Sequence, residues 1–514
     1  MKSFFFYDLE TSGLNARDDR IMQFAGQRTD MDLNPIGEPV NLLVKLANDT
    51  LPSPGAILVT KITPQQTQQD GIDEADFCDR VVNEFFTKDT CAVGYNSIRF
   101  DDEFMRNTLW RNFREPYAWQ WKEGRSRWDL LDVVRLTRAL RPGGIKWPTT
   151  KYEITDKKTG EKAIVEGATN RLELITKLNG IEHTHAHDAL ADVFALIEVT
   201  KLIRTHQPKL YNYLFEMRDK RKVAKLVNLD NKKPFVYASG RYSGKYQKTT
   251  VAFPLTAGRN GNIVVFDLRY NLDELLKEKN EQETEELAVE YNSDLGTGKK
   301  PAEKEKDDSA EESELKKKTS FFPIVKELCL NKCPAVAPLG VLDVENNGKT
   351  GWEHIELTKE QIDANLQSLL AHPEFAEQMR EQYENRDEFP PAVDSESALY
   401  DGFLSRKDED LCAYICSIDE DRLADFHPEF EDERLPDLLL HYKAKNFPSS
   451  LSKEEEGQWE KYRFSRLNRQ APNFTKQIEE MQSILEAGGT ENAKGQKIDP
   501  FILEELSLWY QSLL

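Results

Sequence analysis

The sequence predicts a multidomain protein: an α/β region first, a small β-rich region in the middle, and an all-helical region last. Three observations carry this. A chain of 514 residues is too long for one core, and about three domains is the usual expectation. Short apolar runs alternate with helical spacing through about residue 200. The texture then turns to β-rich segments from about residue 230, and to long segments with apolar three-and-four spacing from about residue 358.

Residues 4–10, Phe-Phe-Phe-Tyr-Asp-Leu-Glu, are the stretch around which the rest is organised. Side chains alternate faces along a strand, so Asp8 and Glu10 point the same way. Two acids on one face repel unless a positive group lies between them. Mg²⁺ and Mn²⁺ are hard cations that take carboxylate oxygens. The run is too apolar for a solvent edge, which puts the acids at the rim of a buried sheet, where ligands bind in open α/β sheets.

Ile21–Thr29 and Asn41–Leu46 read as further strands, and Leu51–Gly55 as a proline-punctuated loop. Asp73–Thr87 has helical spacing, and Cys91–Tyr95 is a short apolar strand. It runs into Arg99-Phe-Asp-Asp-Glu103, where Asp101 or Asp102 can cap the next helix. Trp128–Leu140 reads as a helix, 149–168 as a polar surface excursion, and Arg171–Leu178 as a short helix stopped by Asn179-Gly180. His183-x-His185-x-His187-Asp188 is expected to be a loop, with Ala189–Thr205 an amphipathic helix that Asp188 caps.

Pro234–Ser239, Thr249–Leu255 and Asn262–Leu268 are β-rich and suggest a small barrel or sandwich. Lys277–Thr319 is highly charged and reads as a helix followed by a disordered insertion. Ile362–Leu370, Leu411–Phe426, Leu435–Tyr442, Phe474–Leu485 and Ile502–Leu513 are the helical segments of the last region.

The six cysteines are too few for a disulfide scaffold, which points to a reducing compartment. Cys412-Ala-Tyr-Ile-Cys416 reads as a buried helical face rather than half of a zinc site, whose spacing is usually tighter. No apolar stretch reaches transmembrane length, and the N-terminus lacks the order of a signal peptide. A soluble cytoplasmic protein is expected. The formal charge of −21 argues against a nucleic-acid partner unless a basic channel coexists with an acidic exterior.

Asp8 and Glu10 need partners. Asp101 and Asp102 lie at a strand-to-helix junction, and Asp188 and Asp192 share one helix face. Each pair offers two rival ligands. Four carboxylates around one pocket suit a two-metal phosphodiesterase, with one metal to activate a water and another to stabilise the leaving oxygen. His187 on the adjacent loop can take a proton near neutrality. Each element has a blander alternative: Asp101 as a cap only, His187 as a surface histidine like His183 and His185.

The order Asp8-x-Glu10, Asp101, His187, Asp192 resembles the motif set of the DEDDh 3′→5′ exonucleases. Longer matches narrow it: Arg99-Phe-Asp-Asp-Glu103, Pro116-Tyr-Ala-Trp119, Ser126-Arg-Trp-Asp-Leu-Leu-Asp132, Gly180-Ile-Glu-His183, Ala186-His-Asp-Ala-Leu-Ala-Asp192 and Leu399-Tyr-Asp-Gly-Phe403. Together they resemble the bacterial exonuclease I family, single-strand-specific DNA exonucleases, over nearly the whole chain.

The resemblance implies a ribonuclease H-like exonuclease domain over 1–205 and an SH3-like β-barrel domain over 206–357, carrying the charged insertion at about 277–319. A C-terminal all-α domain over 358–514 completes a monomer that surrounds single-stranded DNA. It implies Asp8, Glu10, Asp101 and Asp192 as ligands of two Mg²⁺ ions, which Mn²⁺ can replace, and His187 as general base. It implies DNA contacts by Arg106, Tyr117, Trp121, Arg135, Arg171 and Lys220. Their chemistry agrees, since aromatics stack bases for about 1–3 kcal/mol each and Arg or Lys neutralises phosphates. For Tyr117 and Trp121 ordinary packing is the alternative. It also implies that Arg141, Tyr213 and Lys233 contact the acidic, Phe-ended tail of single-stranded-DNA-binding protein, and a role in DNA repair and recombination.

Two features depart from the family pattern: Lys61 stands where the family has glycine, and the charged insertion is an addition. The competing readings are a DEDDh exoribonuclease and a non-catalytic module that binds the single-strand-binding protein. The extra domains argue against the first, and the complete set of catalytic-type residues against the second.

Overall fold

A computed structural model describes residues 2–155, 162–183, 188–278, 321, 324–385, 391–493 and 495–514. The chain divides into two compact units. One comprises Met1–Leu130, Gly180–Lys201 and Phe389–Leu514; the other Leu131–Asn179 and Leu202–Glu388.

The first unit is built on a five-stranded sheet of β1 (Ser3–Thr11), β2 (Ile21–Thr29), β3 (Val40–Leu43), β4 (Thr90–Gly94) and β5 (Ser126–Asp129), in the order β3-β2-β1-β4-β5. β2 runs antiparallel to β1 and β3, while β4 is parallel to both β1 and β5. β1 is central and buried on both faces, as its phenylalanine run requires. Phe5, Tyr7 and Leu9 enter one core with Phe24, Phe77, Phe85, Phe86 and Trp119. The Phe24 and Phe85 rings stack at 5.0 Å, a geometry worth about 0.5–1.5 kcal/mol beyond burial. Asp8 and Glu10 lie on the alternate face with Phe4 and Phe6. A register shift follows Glu10, so the strand is bent where its acids emerge.

Several elements differ from the sequence expectation. Helix α1 (Pro54–Thr60) begins inside the stretch 51–55 that reads as a proline-punctuated loop, and α2 (Pro64–Asp70) follows it. Each proline stands in the first helical turn, where its missing N–H costs nothing. The expected helix over Asp73–Thr87 is α3 (Glu74–Arg80) running into a π-helical turn, Val81–Phe85. That wider turn leaves both Phe85 and Phe86 buried in the sheet core. Trp128 lies in a strand rather than a helix, because Ser126–Asp129 pairs with β4, and the helix begins at Leu130. Asp101 opens α4 (Asp101–Arg111), so neither Asp101 nor Asp102 is the cap. Ala118–Trp121 forms the short α5, Leu130–Leu140 is α6, Leu172–Leu178 is α7 and Ala189–His206 is α8.

The C-terminal helices share cores with this α/β sheet. Met22, Leu46, Ile57 and Leu58 pack with Leu467, Phe474, Ile478, Leu506 and Trp509. Trp110 and Phe113 pack with Leu399, Ile415, Leu435 and Tyr442. The expected helix at Phe474–Leu485 is the second half of a 34-residue helix, Lys453–Glu486, started by a Ser452/Glu455 capping box. A buried ionic network adds to this. Arg20 pairs with Glu396 and, at 3.6 Å, with Asp49; Arg466 reaches Asp49 at 3.4 Å and Asp394 at 3.3 Å; Lys445 also pairs with Glu396. Burial alone raises the pKa of Glu396, but Lys445 and Arg20 outweigh it and hold the carboxyl well below its ordinary range.

In the second unit, Thr149–Thr155 (β6) and Lys162–Ala168 (β7) form a hairpin where the sequence suggests only a polar excursion. α9 (Pro208–Glu216) and α10 (Lys220–Leu226) follow. β8 (Phe235–Ala238), β9 (Thr249–Ala257), β10 (Ile263–Asp267), β11 (Val325–Leu328) and β12 (Ala335–Pro338) make an antiparallel sheet in the order β11-β10-β9-β8-β12. The helices Lys359–Leu370 and Pro373–Glu384 belong to this unit: Phe375 meets Phe266 edge-on, and Asn365 donates to the Leu268 carbonyl at 2.9 Å. The expected disordered insertion falls almost wholly outside the described residues. Among the described residues no helix is long and apolar enough to cross a membrane.

Candidate active site

All the predicted acids lie in the first unit. β1 delivers Asp8, half-buried, and Glu10, 9% exposed, at its carboxyl end. α8 delivers Asp192 one turn past its start. Carboxylate oxygens of Asp8, Glu10 and Asp192 lie within 4.8 Å of one another. Asp101, 4% exposed, opens α4. Burial raises its pKa well above the ordinary value, and Asp8 and then Asp102 raise it further. Burial and then Asp192 do the same to Asp8. Glu10 is pushed up to about 9, by burial first and then by Asp8, Asp192 and Asp188.

These values describe acids that repel one another without a counter-charge. Among the described residues no ion pair reaches Asp8, Glu10 or Asp101. Buried carboxylates this close are neutral or hold a cation, and an all-oxygen donor set suits a hard divalent ion. The residues fit such an ion.

The rival acids separate cleanly. Asp102 is 1% exposed and already neutralised: the Tyr7 hydroxyl donates to it at 2.6 Å, Arg127 pairs with it, and Arg106 lies 3.7 Å away. Asp188 is exposed and accepts from the Leu190 N–H at 3.0 Å, a helix-start role. It stands outside the group of three oxygens. Sequence reasoning missed Asp129, which accepts from the Asn96 N–H at 3.0 Å and the Ile98 N–H at 3.3 Å. It thereby fixes the turn that leads into Asp101. Its place in Ser126-Arg-Trp-Asp129 was the available signal. His183 was also passed over, and its Nε2 lies 2.6 Å from Asp192 Oδ1. His187, the expected general base, lies outside the described residues.

The residues expected to touch DNA are placed unevenly. Arg106 is 6% exposed and committed within the protein, bonding Glu103 at 2.5 Å and Gln120 at 2.8 Å, with its guanidinium 5.3 Å from the Tyr117 ring centre. It supports Tyr117 rather than presenting a free charge. Trp121 is 65% exposed, the open face a stacking platform needs. In the second unit, Arg135 is half-buried and paired with Asp132 at 2.5 Å. Arg171, 3.9 Å from Glu173, and Lys220, the first residue of α10, are both exposed.

Of the residues expected at a partner site, Arg141 donates to the Leu140 carbonyl at 2.6 Å and the Val341 carbonyl at 3.1 Å. The Tyr213 hydroxyl donates to the Val336 carbonyl at 3.1 Å, and Lys233 is exposed. Lys61 ends α1 in the left-handed region at φ 61°, its N–H on the Ile57 carbonyl. A glycine would enter that conformation without strain.

The sequence matches the family descriptions Exonuclease over residues 5–200, Exonuclease I SH3-like domain over 218–301 and Exonuclease I C-terminal domain over 393–513. It is 37% identical to exodeoxyribonuclease I of Haemophilus influenzae over 482 residues, 93% of either chain. The structure resembles Escherichia coli exonuclease I in complex with a dA16 oligonucleotide, with a TM-score of 0.81, 33% identity and 100% of both chains covered. A zinc-ion-bound complex of E. coli exonuclease I with single-stranded DNA superposes with a TM-score of 0.81 at 31% identity, covering 100% of this chain and 99% of that one. With three family matches along its length and relatives matched almost end to end, the chain belongs to the exodeoxyribonuclease I family.

Proposed function

We propose that this protein is a metal-dependent exodeoxyribonuclease that removes 5′-mononucleotides from the 3′ end of single-stranded DNA. The observation that carries the chemistry is the convergence of Asp8, Glu10 and Asp192 within 4.8 Å, with Asp101 buried and repelled by Asp8. Family membership supplies the substrate class.

In this reading Asp8, Glu10, Asp101 and Asp192 hold two Mg²⁺ ions. When bound, these ions activate a water and neutralise charge at the leaving oxygen. Asp102, with Tyr7 and Arg127, keeps the start of α4 fixed, and Asp129 fixes the turn before it. His187 takes the proton from the attacking water. Trp121 and Tyr117 stack bases, while Arg171 and Lys220 neutralise phosphates, so binding weakens with salt. Arg135 and Arg106 serve beside them, Arg106 by holding Tyr117. Arg141, Tyr213 and Lys233 belong to a surface for the acidic tail of single-stranded-DNA-binding protein. The protein acts as a cytoplasmic monomer in DNA repair and recombination.

The test is product analysis. With Mg²⁺, single-stranded DNA yields 5′-mononucleotides, while a matched RNA strand and duplex DNA are degraded far more slowly. Equal digestion of RNA makes the protein an exoribonuclease instead.

A further inference from the structure

The segment Gly180-Ile-Glu-His183 has no part in the chemistry above, yet its histidine touches the site. His183 Nε2 lies 2.6 Å from Asp192 Oδ1, and the ring is 3% exposed against 20% for the Asp192 side chain. An ionised carboxylate has no proton to give, so the ring nitrogen is the donor. Asp192 stands on α8 facing two acids of β1, and Asp8 and Asp192 repel each other. An aspartate can relieve such repulsion by turning its carboxylate away. A bond from a buried ring opposes that turn.

We propose that His183 is a positioning residue: it holds the Asp192 carboxylate toward Asp8 and Glu10, so that the three stay within reach of one divalent cation. This rests on the metal-site reading above. The role differs from that of a general base, which must meet the attacking water. His183 instead spends its Nε2 on a ligand. Partners that orient a metal's ligands typically contribute 10–100-fold in affinity or activity.

Mn²⁺ binding to the full chain without DNA, followed by the electron paramagnetic resonance of free Mn²⁺, tests this. The proteins compared are the parent, Asp192→Ala, His183→Ala and His183→Gln. His183→Ala is expected to bind Mn²⁺ about 10–100-fold more weakly. His183→Gln, whose amide nitrogen can stand where Nε2 stands, recovers most of the loss. Turnover of His183→Ala climbs toward the parent value as Mn²⁺ is raised, a response that loss of a general base does not give. Melting temperatures show that each variant is folded. Parent affinity in His183→Ala overturns the proposal and leaves the metal site standing. If His183→Ala does not fold, a folded His183→Gln carries the test, and an affinity as weak as that of Asp192→Ala overturns the proposal. A parent that binds no Mn²⁺, or an Asp192→Ala variant that binds it as tightly as the parent, overturns the metal-site reading underneath.

Discussion

Glu10→Gln is expected to make the metal-free protein more stable while abolishing turnover. Glu10 is nearly buried, and burial, then Asp8, Asp192 and Asp188, push its pKa from 4.5 up to about 9. Between those values the folded, metal-free protein keeps a proton that the unfolded chain has released. The unfolded state therefore binds fewer protons, and stability falls as pH rises through this window, by at most about 1.4 kcal/mol per pH unit. At neutral pH the accumulated cost has a ceiling of about 3 kcal/mol. Glu10 shares its repulsion with Asp8 and Asp192, so one substitution recovers roughly 1–3 kcal/mol. Glutamine keeps the shape and removes the charge. At roughly 2 °C per kcal/mol for a large chain, the variant melts about 2–6 °C above the parent. Differential scanning fluorimetry in EDTA reads this across the pH range. The gap should widen as pH rises and close near the ordinary pKa of glutamate. Excess Mn²⁺ should reverse the order, since a ligand at 100-fold over its Kd adds about 2.7 kcal/mol to a protein that binds it. Equal melting of parent and variant at every pH refutes the account of a crowded, uncompensated acid cluster.

Asp101→Asn and Asp102→Asn should behave oppositely although the residues are neighbours. The first removes Mn²⁺-dependent turnover and leaves the fold intact. The second keeps an oxygen for the Tyr7 hydroxyl but removes the charge and the second oxygen that Arg127 pairs with, costing about 1–3 kcal/mol in urea unfolding with Mn²⁺ affinity largely retained. Lys61→Gly should stabilise the protein by about 1 kcal/mol, read as a shifted urea midpoint, because it relieves a left-handed backbone at φ 61°. Glu396→Gln should cost roughly 3–5 kcal/mol, because it strips Arg20 and Lys445 of a fully buried partner. The α/β sheet and the C-terminal helices should then melt early and together.

The legible parts of the fold were those decided by neighbours in sequence. Strand alternation alone puts Asp8 and Glu10 on one face, and the helical period puts Asp192 one turn into α8. The parts that stayed hidden depend on distant residues. Asp101 and Asp102 are alike in sequence. What separates them is Tyr7, 95 residues from Asp102, and Arg127, 25 residues away. Ser126–Asp129 becomes a strand only because β4 offers it an edge. Arg20 and Glu396 are 376 residues apart, so the ionic network that ties the C-terminal helices to the sheet left no local trace. Pro54 was legible but was read the wrong way, as loop punctuation rather than as a first-turn residue. His183 looked like one of three loop histidines, and only its distance to Asp192 distinguishes it.

The central claim is that the acids of β1, α4 and α8 form one metal-dependent nuclease centre. The most direct measurement follows a 5′-labelled single-stranded DNA with Mg²⁺, comparing the parent with Asp8→Ala. The account predicts progressive shortening from the 3′ end by the parent, stopped by EDTA, and no shortening by Asp8→Ala even though the DNA is still bound. Shortening that survives EDTA, or an Asp8→Ala variant that degrades the strand at the parent rate, would contradict it.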